Sequence, residues 1–545
     1  MLFNSINFII FFIVVYFTYR CLQHHKQNIL LLVSSYFFYA FWDVRLLFLI
    51  IASTVVNYTC AILIAESVIG KKERSTISFW IILSCFLLIT LQWKKAFVTY
   101  EPSNIITFMQ VLISWRSGWI ILGVVTSAII ITNLLLKSVT FGDKTRRTVF
   151  ISLAIIVNLG VLGFFKYYNF FIDNMEWIIR AIHLNPSTFH LNILLPIGIS
   201  FYTFKGISYC VDVYRGKIYP EKKYIPFAAF IAFFPALLAG PIDRAENLLN
   251  QFNKSRHITT EKTIRGVHLF IYGLFKKVVV ADGIVRTVTS VFDSTGFVSW
   301  LDVVVATFLF TIQIYCDFSG YTDMARGVAK LFGFDLMINF KLPYFSKNPR
   351  EFWSRWHISL SSWLRDYLYI PLGGNRKGSN RTYRNLMITM VLGGLWHGAG
   401  WNFVLWGFYH GVLLCVHRIF TSAKKKGNHI SSVGFQFTNG IIFFILTCYG
   451  WLLFRAPSLE KILNLSSTLG CDFGNLDIGF TKPRLAAICG LPVLIIIEII
   501  EGIGQEKVFY KKIPMSLWTA LYATILFCIA IGLTTESTQF IYMQF

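Results

Sequence analysis

The sequence predicts an all-α, polytopic integral membrane protein, with about 11–14 spanning or re-entrant helices around a central cavity or funnel. Three observations predict it. Of 545 residues, 55% are hydrophobic and only 14% charged, whereas a soluble domain carries about a quarter charged residues. Apolar runs at 4–19, 46–65, 119–136, 148–165, 435–454, 485–500 and 517–533 each approach the roughly 20 residues that cross a bilayer. Basic residues gather between those runs: Lys71-Lys72 with Arg74, Lys144 with Arg146-Arg147, Lys222-Lys223, Lys424-Lys425-Lys426 and Lys511-Lys512. That bias sets orientation in a membrane. It accounts for the net charge of +23 and argues against nucleic acid as a partner; the partner implied is the lipid bilayer.

Along the chain, residues 1–190 hold the N-terminal spans. The run at 4–19 lacks a basic start and a small-residue cleavage site, so it reads as a retained span. Residues 191–420 mix apolar side chains with proline, glycine and charge. Leu195-Pro196-Ile197-Gly198 and the stretch from Pro235 to Pro241 are helix breakers, and Asp317-Phe318-Ser319-Gly320-Tyr321-Thr322-Asp323 sets two carboxylates beside a glycine. Irregular backbone at membrane depth persists only where protein buries it or water lines it. This stretch is therefore expected to form a core of broken and re-entrant helices around a polar cavity. Residues 421–545 return to simple spans. With the basic loops cytoplasmic, the polar stretch 455–483 and the aromatic end Phe540-Ile541-Tyr542-Met543-Gln544-Phe545 fall on the outer side. The ten cysteines show no CxxC pair, so neither a disulfide framework nor a metal site is implied. No inverted repeat is evident, which argues against a secondary transporter.

Two histidines carry the chemical signal. His357 lies in Phe352-Trp353-Ser354-Arg355-Trp356-His357-Ile358-Ser359-Leu360-Ser361, and His397 in Gly393-Gly394-Leu395-Trp396-His397-Gly398-Ala399-Gly400-Trp401. An ionisable side chain at bilayer depth normally faces a protein interior or a wet path, and imidazole exchanges protons near neutral pH. Packing beside tryptophans is the bland alternative, and it is the reading given to His410 and His417. If the stretch around His357 is helical, His357 shares a face with Ser361, and Ser362 with Asp366. Trp353, Arg355, Trp396, Arg365 and Asp366 are the residues expected to shape the cavity or contact substrate, with Arg365 and Asp366 read first as an ion pair. Lys276-Lys277 and Arg376-Lys377 are candidates either for donor phosphates or for simple anchoring.

The run from Phe352 to Arg376, with Leu395-Trp396-His397-Gly398, resembles the paired signature of membrane-bound O-acyltransferases, and within them the bacterial alginate O-acetyltransferase type. Residues 195–215, 233–244, 273–282 and 312–323 extend the resemblance over most of the chain. The resemblance implies that His397 is the general base removing a proton from an acceptor hydroxyl, and that His357 positions a group or stabilises developing charge. It implies no bound cofactor and a cytoplasmic thioester donor, acetyl-CoA or alternatively an acyl carrier protein. It implies O-acylation of an exported or cell-envelope polysaccharide from the bacterial inner membrane, through an extracytoplasmic serine-type O-acyltransferase partner. The aromatic end resembles a family motif in which a tyrosine, here Tyr542, relays the acyl group; an interfacial anchor is the alternative. D-alanyl transfer to teichoic acid and a non-enzymatic transporter or flippase are the rival functions.

Overall fold

The computed structural model describes residues 1–90, 127, 142–186, 190–191, 193–238, 240–424, 433–504 and 514–533, and among them every regular element is helical. Six of the predicted apolar runs are helices: Ile6–Cys21, Leu47–Ala65, Asp143–Leu162, Val433–Arg455, Leu485–Gly504 and Met515–Gly532. The run at 119–136 lies outside the described residues apart from Ser127. Five helical stretches are long and apolar enough to cross a membrane, namely His24–Ala65, Asp143–Ala181, Trp300–Leu331, Trp401–Thr421 and Gln436–Arg455, with three shorter apolar helices beside them. The chain forms two compact units, one of Met1–Thr263 with Ala329–Leu336, the other of Ile264–Val328 with Met337–Phe545.

In the first unit, Leu47–Ala65 packs against both Asp143–Leu162 and Ile199–Tyr214. Apolar faces alone give helices in lipid little reason to associate, so polar hooks matter. Asn57 and Asn158 supply one: Asn158 Nδ2 donates to Asn57 Oδ1 at 2.9 Å, and Asn57 Nδ2 donates back to Asn158 Oδ1 at 3.2 Å. The expected breakers act as expected. Gly198 turns the chain into Ile199–Tyr214 with φ +71°, and a Cβ there would lie 2.5 Å from the Leu237 carbonyl oxygen. Only glycine meets both demands. The Tyr224–Ala232 helix ends at Phe233, and a single four-residue turn, Phe234–Leu237, follows.

In the second unit the structure corrects one expectation. The aspartate-rich stretch 317–323 is not broken backbone; it lies inside the continuous 32-residue helix Trp300–Leu331. That helix crosses Thr260–Leu274 at paired glycines. A Cβ on Gly273 would lie 2.4 Å from the Gly320 oxygen, one on Gly320 2.7 Å from the Gly273 oxygen, and one on Gly327 2.6 Å from the Gly266 oxygen. Backbones this close need small residues. The crossing presses Asp317 and Asp323 onto the seven-residue π-helical continuation Phe275–Ala281. Lys276 and Lys277, expected either to meet donor phosphates or to anchor the chain at the membrane surface, are instead buried there. Lys276 pairs with Asp323 at 2.9 Å, and Lys277 with Asp317 at 2.7 Å and Asp282 at 2.8 Å. Glu498 joins the cluster by accepting from Tyr315 at 2.7 Å. The charges survive burial because each faces an opposite one.

Candidate functional site

The segment holding His357 is set by local chemistry. Asn348 caps the helix Pro349–Arg355, its side chain accepting from Glu351 N at 2.9 Å, with Pro349 at the first helical position, a pairing that favours helix initiation. A second short helix runs Ile358–Leu364. Between them the chain breaks, so His357 and Ser361 do not share one helical face as the sequence allowed. His357 instead heads the second helix with φ +42° and ψ +54°, and its carbonyl accepts from Ser361 N at 2.9 Å. Histidine is among the few residues enriched in this left-handed region.

His397 arrives from another element. It is the last residue of the helix Ser379–His397. Gly398 and Gly400 turn the chain into Trp401–Lys424, and the two helices pack closely because Gly394 faces the Phe403 carbonyl and Gly407 faces the Met390 carbonyl. The hairpin sets the His397 ring 5.0 Å from the Trp406 ring centre, with Phe454 at 5.4 Å.

The two segments converge. The ring centres of His357 and His397 lie 6.5 Å apart, and the Trp396 ring touches both, at 5.8 and 5.1 Å. Phe318, from the Trp300–Leu331 helix, stands edge-on to His357 at 4.6 Å. His357 is fully buried, whereas His397 keeps 4% of its surface exposed. Aromatic walls exclude water, which strengthens any hydrogen bond or charge formed inside.

The remaining predicted residues fall into two groups. Trp353 belongs to the wall, 5.7 Å from the Trp406 ring and 5.2 Å from His410. His410 is fully buried among the Phe352, Trp353 and Trp406 rings. Arg355 bonds Glu351 at 2.7 Å, one turn back on its own helix. Arg365 and Asp366 form an ion pair at 2.8 Å, with the arginine largely exposed. Arg376 and Lys377 lie exposed in the loop before the Ser379–His397 helix. Tyr542 lies outside the described residues. The motifs do not mark Trp406 or Phe318; their aromatic type is visible in the sequence, but only the helix hairpin brings Trp406 to His397 and only the Trp300–Leu331 helix brings Phe318 to His357.

The model of the membrane-bound O-acyltransferase family matches residues 78–457. A probable alginate O-acetylase of Pseudomonas aeruginosa is 37% identical over 520 residues, covering 94% of this chain and 83% of that protein. A peptidoglycan O-acetyltransferase of Helicobacter pylori is 32% identical over 502 residues, 85% of this chain and 79% of that protein. A teichoic acid D-alanyltransferase of Bacillus subtilis is 28% identical over 285 residues, half of this chain and 71% of that protein.

Proposed function

The chain belongs to the membrane-bound O-acyltransferase family, and from that premise we propose that it moves an acetyl group from a cytoplasmic thioester across the bacterial inner membrane for O-acetylation of an exported or cell-envelope polysaccharide. It is a multi-pass membrane acyltransferase. The observation that carries the reading is the convergence of His357 and His397, from separate segments, to 6.5 Å inside one aromatic enclosure. Relatives named for O-acetylation of alginate and of peptidoglycan match most of the chain, whereas the D-alanyltransferase matches half; acetyl transfer is favoured accordingly.

The chemistry needs a base, because a hydroxyl is a weak nucleophile at neutral pH. His397 takes the hydroxyl proton as the oxygen attacks the thioester carbonyl. The C–O bond forms, the C–S bond breaks, and the imidazolium returns its proton to the departing thiolate. His397 suits this role better than His357, since it retains a little exposed surface. His357 positions the acyl group or steadies the charge on its oxygen, a contribution typically worth ~10²-fold or more. Acetyl-CoA is the donor. The acceptor hydroxyl is reached from the outer side, with Tyr542 as a relay that an extracytoplasmic serine-type transferase relieves of its acetyl group.

The test uses membranes containing the full chain and acetyl-labelled CoA. Label should appear on the protein and then on polysaccharide, and Tyr542→Phe should abolish the protein-bound fraction if the relay operates. Absence of any transfer from acetyl-CoA, with transfer from a D-alanyl carrier protein, would favour the D-alanyl alternative. Absence from both donors would favour a transporter.

A further inference from the structure

The backbone at His357 needs a cause. Among the described residues only three other than glycine have positive φ: His183, Leu342 and His357. Two of these flank one junction. Leu342, at φ +47°, belongs to the segment that pairs with the break at Trp356-His357. Lys341 N donates to Arg355 O at 3.0 Å, and Ile358 N donates to Asn339 O at 3.0 Å. The two residues between those bonds, Trp356 and His357, bulge out opposite Phe340. The left-handed region is costly for a leucine, and such strain, of order 1–3 kcal/mol per residue, persists only where neighbouring structure over-determines it.

Asn339 does most of the determining. It is fully buried. Besides its main-chain bond to Ile358, its side-chain Oδ1 accepts from Ser359 N at 3.2 Å. A backbone N–H can only donate, so that contact fixes which side-chain atom is oxygen. One residue thus holds both amides that follow His357, and these are also orphan donors of the first turn of Ile358–Leu364. The Nδ2 of the same amide is buried without a hydrogen-bond partner among the described residues, a state that lowers stability. The next residue, Phe340, packs its ring on Trp356 at 4.9 Å and on Phe318 at 5.1 Å, and Phe318 is the ring against His357.

From this we infer that Asn339 is a positioning residue for acyl transfer: it locks the backbone at His357 in the left-handed conformation and so aims the imidazole at its partner across the enclosure. The inference rests on the acyltransferase reading above. A displacement of about 1 Å in a positioning group can cost ~10²-fold in rate, so the effect belongs in kcat and not in donor binding.

The test has two readouts on the full-length protein. In an experimental structure of Asn339→Leu, which removes the side-chain acceptor of Ser359 N and keeps the main-chain acceptor of Ile358 N, His357 should leave positive φ; His357 still near +42° with the Ser359 amide released would overturn the inference whatever the activity. In kinetics with acetyl-CoA and membranes carrying the polysaccharide, Asn339→Leu should lower kcat by ~10–100-fold with KM for acetyl-CoA changed less than about twofold. Asn339→Asp, which keeps the acceptor oxygen and the volume, should restore activity to within about fivefold of wild type. Where leucine prevents accumulation, Asn339→Ala removes the same acceptor without added bulk and is read the same way. Wild-type kcat per folded molecule in the leucine or alanine variant would sink the inference while leaving the acyltransferase reading intact. A wild-type protein that transfers no acetyl group would sink that reading instead, and the structural readout would still decide the role of Asn339.

Discussion

The His397 imidazole closes the last turn of its helix, beside the rings of Trp406 and Phe454. His357 is constrained differently, by backbone. Left-handed φ admits glycine, asparagine, aspartate and histidine far more readily than β-branched residues. His357→Asn should therefore leave the thermal midpoint of the detergent-purified protein within about 2 °C of wild type. His357→Val should lower it clearly, by an amount corresponding to ~1–3 kcal/mol of strain. Equal midpoints would mean that the left-handed geometry is not enforced. The histidine motifs were legible in the sequence because tryptophan, glycine and histidine recur at recognisable spacings. The sign of φ at His357 was not legible, because it depends on Asn339, 18 positions earlier, whose amide bonds the far side of the turn.

Helices in this protein are set by composition and placed by glycine. The apolar runs at 4–19, 46–65, 148–165, 435–454, 485–500 and 517–533 were readable as spans, since a long uncharged stretch has few other options. The Trp300–Leu331 helix was misread because local sequence gives Asp317, Gly320 and Asp323 the look of a break. Their partners, Lys276 and Lys277, lie some forty residues away, and only the Gly273–Gly320 crossing brings the charges together. Removing one side of such a pair is costly, about 3–5 kcal/mol, since it strands the opposite charge. Lys277→Met should accordingly leave little folded protein extractable from membranes, although it touches neither histidine. Gly320→Leu should do the same by forcing apart the helices that carry the cluster. Wild-type yield in both variants would show the ion cluster to be dispensable for folding.

On the proposed function, the molecule as a whole offers one face to a cytoplasmic donor and another to an outer acceptor. The orientation predicted by the basic loops has the stretch 455–483 outside. It carries the helix Leu459–Cys471, whose last residue is an exposed free cysteine. In a variant retaining Cys471 as its single cysteine, a membrane-impermeant maleimide should label intact cells whose outer barrier alone has been opened. Labelling only after the inner membrane is breached would invert the topology. The family was legible at this scale from long motifs, and the described helices agree with it. The polysaccharide was not legible, because nothing in a membrane enclosure for a small acyl group encodes the polymer that finally receives it. The most direct measurement is the ester-bound acetate on envelope polysaccharide from cells carrying His397→Ala at wild-type abundance. Loss of general-base assistance should reduce it by ~10²-fold or more. Acetate at the wild-type level would contradict the assignment of His397 as the base.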